Sequence, residues 1–235
     1  MDILLASGSP RRRELLTSAQ LDFTIMSVDI DETPHVHETP KDYIQRMIAT
    51  KAEATVARLQ AEWGSCQSKP CLSSDTPYSP LLILTADTIG VLPDGKTVLV
   101  KPIDREHAYH MWQKMSDSTH QVWTAVQATL IHKDRFDNGD EKAAWSIVGQ
   151  QHIIERTDVT FVPLTTEMMT RYWNTGEPAD KAGGYGIQGL AAAWVTRING
   201  SYTNVVGLPL AQTLALIQQA CRDYERIMDA QSVDT

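Results

Sequence analysis

Residues 81–88 read Leu-Leu-Ile-Leu-Thr-Ala-Asp-Thr. Five of the six residues before Asp87 are apolar, so a carboxylate stands where a buried strand is expected to end. Ligand sites in α/β sheets favour the carboxyl ends of strands, and a carboxylate there can orient a water or hold a divalent cation. Asp31-Glu32 is a second acidic pair, and Glu32 is a candidate for the same cation. The positive candidates are dispersed: Arg11, Arg12, Arg13, Lys51, Lys101 and Lys181. Arginine forks match phosphate oxygens and lysine adds a mobile point charge, so convergence of these groups would suit a triphosphate. The stretch GEPADKAGGYGIQG, residues 176–189, joins glycines that permit close backbone approach to Gln188, whose amide offers both donor and acceptor to a base edge. Each feature also has a structural reading. Asp87 could cap a turn, Glu32 could sit in a solvated acidic turn, and the glycine-rich stretch could be a connector.

The elements that must carry these residues follow from pattern. Residues 2–6 predict a short buried strand, and Ser7 to Pro10 a turn. Ser9 can cap a helix with Pro10 at its first position, and the unpartnered N–H groups of that first turn make an anion seat. Arg11, Arg12 and Arg13 point in different directions around this helix, so at least one is structural or solvent-exposed. Residues 23–28 predict a strand. Thr39, Pro40 and Asp42 predict a capped helix with Ile44, Met47, Ile48 and Ala52 on its apolar face and Lys51 beside that stripe. After the 81–87 strand, PDGK at 93–96 predicts a hairpin turn, and Pro102 holds Lys101 extended. Asp104 caps a helix whose Ala108, Met111, Trp112 and Met115 read as core. Strands are expected at 121–132, 145–149 and 152–162, a helix over 165–173, a glycine-rich loop over 175–189, a strand in AAWVTRI, and a last helix from Pro209. The final fifteen residues are polar and expected to fray. Residues 62–80 and 133–142 read as surface insertions. The mixture of helices and strands predicts an α/β fold, a curved sheet with helices around it or two lobes separated by a cleft.

Several chemistries are disfavoured. The chain carries a formal net charge of -8, so an extended nucleic-acid surface is not expected, although a local basic pocket suits a small anion. There is no Walker A spacing, no GxGxxG, no HExxH and no GxSxG elbow. No signal peptide or membrane-length apolar run is visible, and three cysteines without a CxxC pair suggest a reducing compartment. A cytoplasmic location is expected.

In chain order, LLASGSPRRRELL, DIDETP, IATKA, LTADT, Lys101-Pro102, WTAV and GEPADKAGGYGIQGLAAAWVTRINGSYTNVVGLP resemble the Maf family of nucleotide pyrophosphatases, and most closely its branch associated with dTTP and UTP. The resemblance implies an elongated α/β fold around a deep cleft, often dimeric, in one domain over residues 1–222 with a polar tail at 223–235. It implies metal-dependent hydrolysis of a nucleoside triphosphate to monophosphate and pyrophosphate, with Mg²⁺ as the expected cation and Mn²⁺ as the alternative. Ser9, Arg11 and Arg12 match the phosphate-contacting opening motif, and Arg13 the dispensable place. Glu32 matches the acidic position near the metal, with Asp87 as its companion ligand. Lys51, Asp87 and Lys101 match the central charged positions, Thr88 the pyrimidine-type pattern, and Lys181 and Gln188 the closing loop. Either Asp87 or Glu32 could act as base. Activity on 7-methyl-GTP or noncanonical purines, and a regulatory role in cell division with little turnover, are the alternatives.

Overall fold

The computed structural model describes residues 1–65, 80–133 and 145–233. Strand β1 (Asp2–Leu5) leads to helix α1 (Pro10–Ser18), then β2 (Thr24–Ile25), α2 (Pro40–Ser65) and the central strand β3 (Leu81–Val91). Next come β4 (Val98–Leu99), α3 (Arg105–Met115) and two long strands, β5 (Thr119–Lys133) and β6 (Trp145–Phe161). The described chain closes with α4 (Thr166–Trp173), β7 (Val195–Asn199), α5 (Tyr202–Val206) and α6 (Leu210–Val233). Short 3₁₀ turns occupy Glu177–Asp180, Ala182–Gly184 and Leu190–Trp194. One mixed sheet runs β2-β1-β3-β5-β6-β7, with β4 on the edge of β3. β1 is parallel to β2 and β3, and every other pairing is antiparallel. This is the expected α/β class.

The alternation of β3 explains how its two faces are covered. Leu82, Leu84 and Ala86 pack with Leu5, Leu16 of α1 and Leu216 and Ile217 of α6. On the opposite face, Leu81 and Ile83 meet Val56 and Leu59 of α2, and Ile89 and Val91 meet Ile44, Met47 and Ile48. A further core gathers Trp112 and Met115 of α3, Met169 and Tyr172 of α4, Phe161, Tyr185 and Trp194. The long strands β5 and β6 contribute to both the first and the last of these cores, through Val122, Val159 and Phe161 in the last and Val126, Ala128 and Leu130 in the first.

Several boundaries differ from the sequence expectation. β3 does not end at Asp87 but continues to Val91, because Asp87 and Thr88 stay paired with Ala125 and Thr124 of β5. The two strands expected at 145–149 and 152–162 are one. Gly149 stays in register opposite Leu130, and the irregularity is taken up between Leu130 and Ile131. The strand expected in AAWVTRI starts only at Val195, because residues 192–194 belong to the 3₁₀ turn Leu190–Trp194, and 202–206 form a helix. Residues 221–233, expected to fray, continue α6. Cys221 and Tyr224 pack on the core beside Leu216 and Ile217, and the Tyr224 hydroxyl lies 3.2 Å from His132 Nδ1. Residues 62–65 of the first expected insertion belong to α2. The rest of that insertion up to residue 79, and residues 134–142 of the second, lie outside the described residues. No helix among the described residues is long and apolar enough to cross a membrane.

Candidate active site

The pairing of β3 creates the site. β1 pairs with residues 81–84, and the Ala6 N–H donates to the Leu84 carbonyl at 2.8 Å. β4 takes up the same edge again only at Gly90. Between them, at residues 85–89, no described strand covers this edge of β3. Both faces of the strand therefore open into one cleft of about 980 Å³. All ten residues predicted from sequence line it: Ser9, Arg11, Arg12, Glu32, Lys51, Asp87, Thr88, Lys101, Lys181 and Gln188. Arg13 is exposed and does not line it.

Odd-numbered residues of β3 face α2, so Asp87 meets Lys51. Lys51 Nζ lies 2.6 Å from Asp87 Oδ1 and 3.1 Å from Glu32 Oε1. Lys101 Nζ approaches Glu32 Oε2 at 3.9 Å. The lysine aliphatic stem runs along the apolar stripe of α2, and its charged head emerges between the two carboxylates. The Asp87 side chain is 13% exposed and that of Glu32 47%, so Asp87 is the more enclosed acid. The loop carrying Glu32 is pinned by Tyr43, whose hydroxyl donates to the Glu32 carbonyl at 2.9 Å. Burial, reinforced by Asp87 and Glu32, pushes the Tyr43 phenol up to about 12, so it remains a donor at neutral pH.

Thr88 points to the other face, toward α1. There Arg12 donates from Nε to the Gly207 carbonyl at 2.8 Å, from Nη1 to Ser7 Oγ at 3.1 Å, and from Nη2 to Thr88 Oγ1 at 3.0 Å. Thr88 Oγ1 lies 2.9 Å from Thr124 Oγ1, and the Thr124 hydroxyl donates to the Asn204 carbonyl at 3.0 Å. Thr88 Oγ1 thus accepts from Arg12 and lies within reach of two groups that can take its own proton, Thr124 Oγ1 and, at 3.4 Å, the Gly207 carbonyl. Burial lowers the Arg12 pKa, Asp87 opposes this, Arg11 adds to it and Glu32 opposes it. Arg12 is thus first a brace joining α1, β3 and the turn before α6. Arg11 lines the same cleft beside it. Ser9 occupies the N-cap position of α1, but its hydroxyl makes no capping bond, contrary to expectation.

The loop at 175–189 is built as a wall. Gly183 and Gly184 hold φ of 71° and 64°, the left-handed region that favours glycine. The Gly183 N–H donates to the Val100 carbonyl at 3.0 Å, tying the loop to the segment that carries Lys101. Lys181 Nζ donates to the Glu177 carbonyl at 2.7 Å, and its stem passes so close to Gly186 that a Cβ there would meet Lys181 Cε at 2.8 Å. Lys181 therefore shapes the loop as well as lining the cleft. Gln188 is exposed at its tip.

Sequence reasoning did not single out Ser7, Tyr43, Thr124 or Asn204. Ser7 was the most accessible, standing in the same small-residue turn as Ser9. Thr124 and Asn204 stand in the WTAV and closing motifs but had no role assigned to them, and no local pattern marks Tyr43. Among the described residues there is no cluster of three or more His, Cys, Asp or Glu that could hold a metal ion, and the acids that meet in the cleft are the pair Glu32 and Asp87.

Beneath the loop lies one buried titratable group. His120 Nε2 is 2.6 Å from the Tyr185 hydroxyl, its Nδ1 has no partner, and burial holds its pKa at about 4, against 6.5 when unperturbed. Above pH 6.5 the imidazole is neutral folded or unfolded. As pH falls below 6.5 only the unfolded state takes up the proton, so stability is lost progressively toward pH 4. Between pH 7 and 5 this amounts to about 2 kcal/mol. Urea unfolding of the wild type and His120→Gln at both pH values should show that excess loss in the wild type alone.

Among the described residues, a seven-stranded mixed sheet whose central strand opens into a cleft lined by paired acids, basic groups and a glycine-rich wall defines an α/β protein with a polar, charged cleft. The chain belongs to the Maf family, matching the Maf-like protein profile over residues 2–220. It is 66% identical to a dTTP/UTP pyrophosphatase of Psychrobacter arcticus over 224 residues, covering 93% of this chain and 95% of that one. It is 64% identical to a dTTP/UTP pyrophosphatase of Psychrobacter cryohalolentis, with 93% and 97% covered. Identity is 41% to one of Pseudoalteromonas atlantica, with 95% and 99% covered.

Proposed function

We propose that the protein hydrolyses dTTP and UTP to the nucleoside monophosphate and pyrophosphate, with water attacking the α-phosphorus. The observation that carries this reading is the meeting of Asp87 and Glu32 on one Lys51 ammonium, in the cleft that Arg11, Arg12 and the start of α1 also line. Glu32 and Asp87 would hold a divalent cation, Mg²⁺ or in its place Mn²⁺. Both are hard oxygen donors within 3.1 Å of one ammonium, and Mg²⁺ is commonly held by one or two carboxylates together with substrate phosphates. Such a cation, when bound, neutralises charge on the phosphate oxygens.

The chain's own groups do the rest. Arg11, Arg12, Ser9 and the N–H groups of the first turn of α1 bind the phosphate tail. Lys51 holds Asp87 Oδ1, leaving Oδ2 to orient the attacking water and take its proton. The water oxygen bonds to the α-phosphorus while the bond to the α,β-bridging oxygen breaks. Pyrophosphate leaves with that electron pair, and Lys51 and Lys101 counter the charge it gains. Glu32 is the more exposed acid and serves better as a cation ligand than as base.

Base choice falls to the loop around Gln188. Gln188→Ala is expected to flatten the ranking of triphosphates while leaving the pyrophosphate-releasing chemistry in place. Parallel kcat/KM values for dTTP, UTP, CTP and purine triphosphates check this; an unchanged ranking removes Gln188 from the role. The same panel tests the proposal itself. Monophosphate plus pyrophosphate from dTTP and UTP is expected, and diphosphate plus phosphate would overturn it. Family resemblance also supports a cytoplasmic homodimer, for which light scattering should give twice the chain mass.

A further inference from the structure

The glycine-rich loop that lines the cleft is hung by three side-chain hydrogen bonds from the core around Trp112, Phe161 and Tyr172. The Trp112 indole N–H donates to the Gly183 carbonyl at 3.1 Å. The Tyr185 hydroxyl lies 2.6 Å from His120 Nε2. The Gly186 N–H donates to the Tyr172 hydroxyl at 3.1 Å. Trp112, His120 and Tyr172 are all buried, and Tyr172 is packed edge-on to Trp194, with ring centroids 4.8 Å apart. The anchors therefore have little freedom to follow a moving loop.

One anchor fixes more than a position. A peptide unit is planar and trans, so its N–H and C=O point in opposite directions. The unit joining Tyr185 to Gly186 has its N–H turned onto the Tyr172 hydroxyl. Its carbonyl, that of Tyr185, must point away from the aromatic core. Tyr185, Gly186, Ile187 and Gln188 all line the cleft. Uracil and thymine carry an N–H at ring position 3 between two carbonyls, whereas cytosine carries a bare acceptor nitrogen there. A carbonyl held in a set direction pairs with the first and repels the second.

We propose that Tyr172 is a positioning residue for base selection: by holding the Gly186 N–H it presents the Tyr185 carbonyl as the acceptor for the ring N3–H of uracil and thymine. This rests on the reading of the cleft as a pyrimidine triphosphate site. Glycine at 186 leaves the peptide otherwise free to rotate, so the direction of that carbonyl depends on the tyrosine hydroxyl.

The experiment uses Tyr172→Phe, which removes the hydroxyl and keeps the ring in the core, with UTP, CTP and N3-methyl-UTP as substrates and released pyrophosphate as the signal. In the wild type, N3-methyl-UTP should have a kcat/KM at least about tenfold below that of UTP, the scale of one lost hydrogen bond at a desolvated edge. In Tyr172→Phe the preference for UTP over CTP should fall about tenfold, carried by KM for UTP with kcat held within about twofold. A general loss of packing would instead lower kcat for both substrates together. A preference unchanged within about twofold in a folded Tyr172→Phe protein overturns the proposal. If that variant does not fold, the wild type decides alone, since N3-methyl-UTP turned over as well as UTP also overturns it. Wild-type protein that releases no pyrophosphate from UTP would instead strike the underlying reading of the cleft.

Discussion

Asp87→Asn is expected to lower turnover by about three orders of magnitude while the protein stays folded and still binds nucleotide. The amide keeps the shape of the side chain and its place opposite Ala125 on β3. It loses the charge that pairs with Lys51 at 2.6 Å and that would take the proton of the attacking water. The pairing of β3 with β5 through Val91 does not depend on this side chain, so the melting temperature should move by only a few degrees. Pre-steady-state product formation together with nucleotide titration checks the prediction. Near-normal turnover would remove Asp87 from the chemistry. Lost nucleotide binding with proportional loss of kcat/KM would make it a binding group only.

Lys51→Ala is expected to act by a different route. Removing the ammonium leaves Asp87 and Glu32 facing each other without the positive charge that lies 2.6 and 3.1 Å from them. Two consequences follow. Turnover should fall by about a hundredfold, because the Asp87 carboxylate is no longer held at Oδ1 and the leaving pyrophosphate loses a counter-charge. Nucleotide-free affinity for a divalent cation should rise by about tenfold, because the lysine charge repels a cation at the same carboxylates. Lys51→Met, which retains a long apolar stem against α2, should behave alike and controls for packing. Titration with Mn²⁺ by calorimetry, alongside turnover, separates the two effects. Weaker cation binding in both variants would show that the lysine orders the carboxylates rather than competing for them.

These two substitutions also mark how far the sequence could be read. Asp87 stood out because a charge after an apolar run needs a reason, and Lys51 because helical spacing set it beside the apolar stripe. Their meeting follows from period two on β3 and period 3.6 on α2, once the helix is known to lie on that face. Arg12 was legible as a candidate phosphate ligand, but not as a brace. Its acceptors Thr88 and Gly207 lie 76 and 195 residues away, and no local pattern announces them. Likewise Trp112 reads as core from its spacing, and it is core. That its indole N–H ends on Gly183, 71 residues on, is a matter of tertiary placement. The sequence suggested that β3 stops at Asp87, because a polar pair ordinarily ends a buried run. The strand continues because both residues stay paired with β5 and each finds a polar partner, Lys51 for Asp87 and Arg12 for Thr88. Gly149-Gln150-Gln151 suggested a break for a similar reason, and the pairing with β5 overrode it.

The account centres on a phosphate tail held so that water reaches the α-phosphorus beside Asp87. Hydrolysis of UTP in ¹⁸O-labelled water, followed by mass analysis of both products, tests this most directly. Label in UMP and none in pyrophosphate is the predicted result. Label in pyrophosphate, with UMP unlabelled, would place the attack on the β-phosphorus and contradict it.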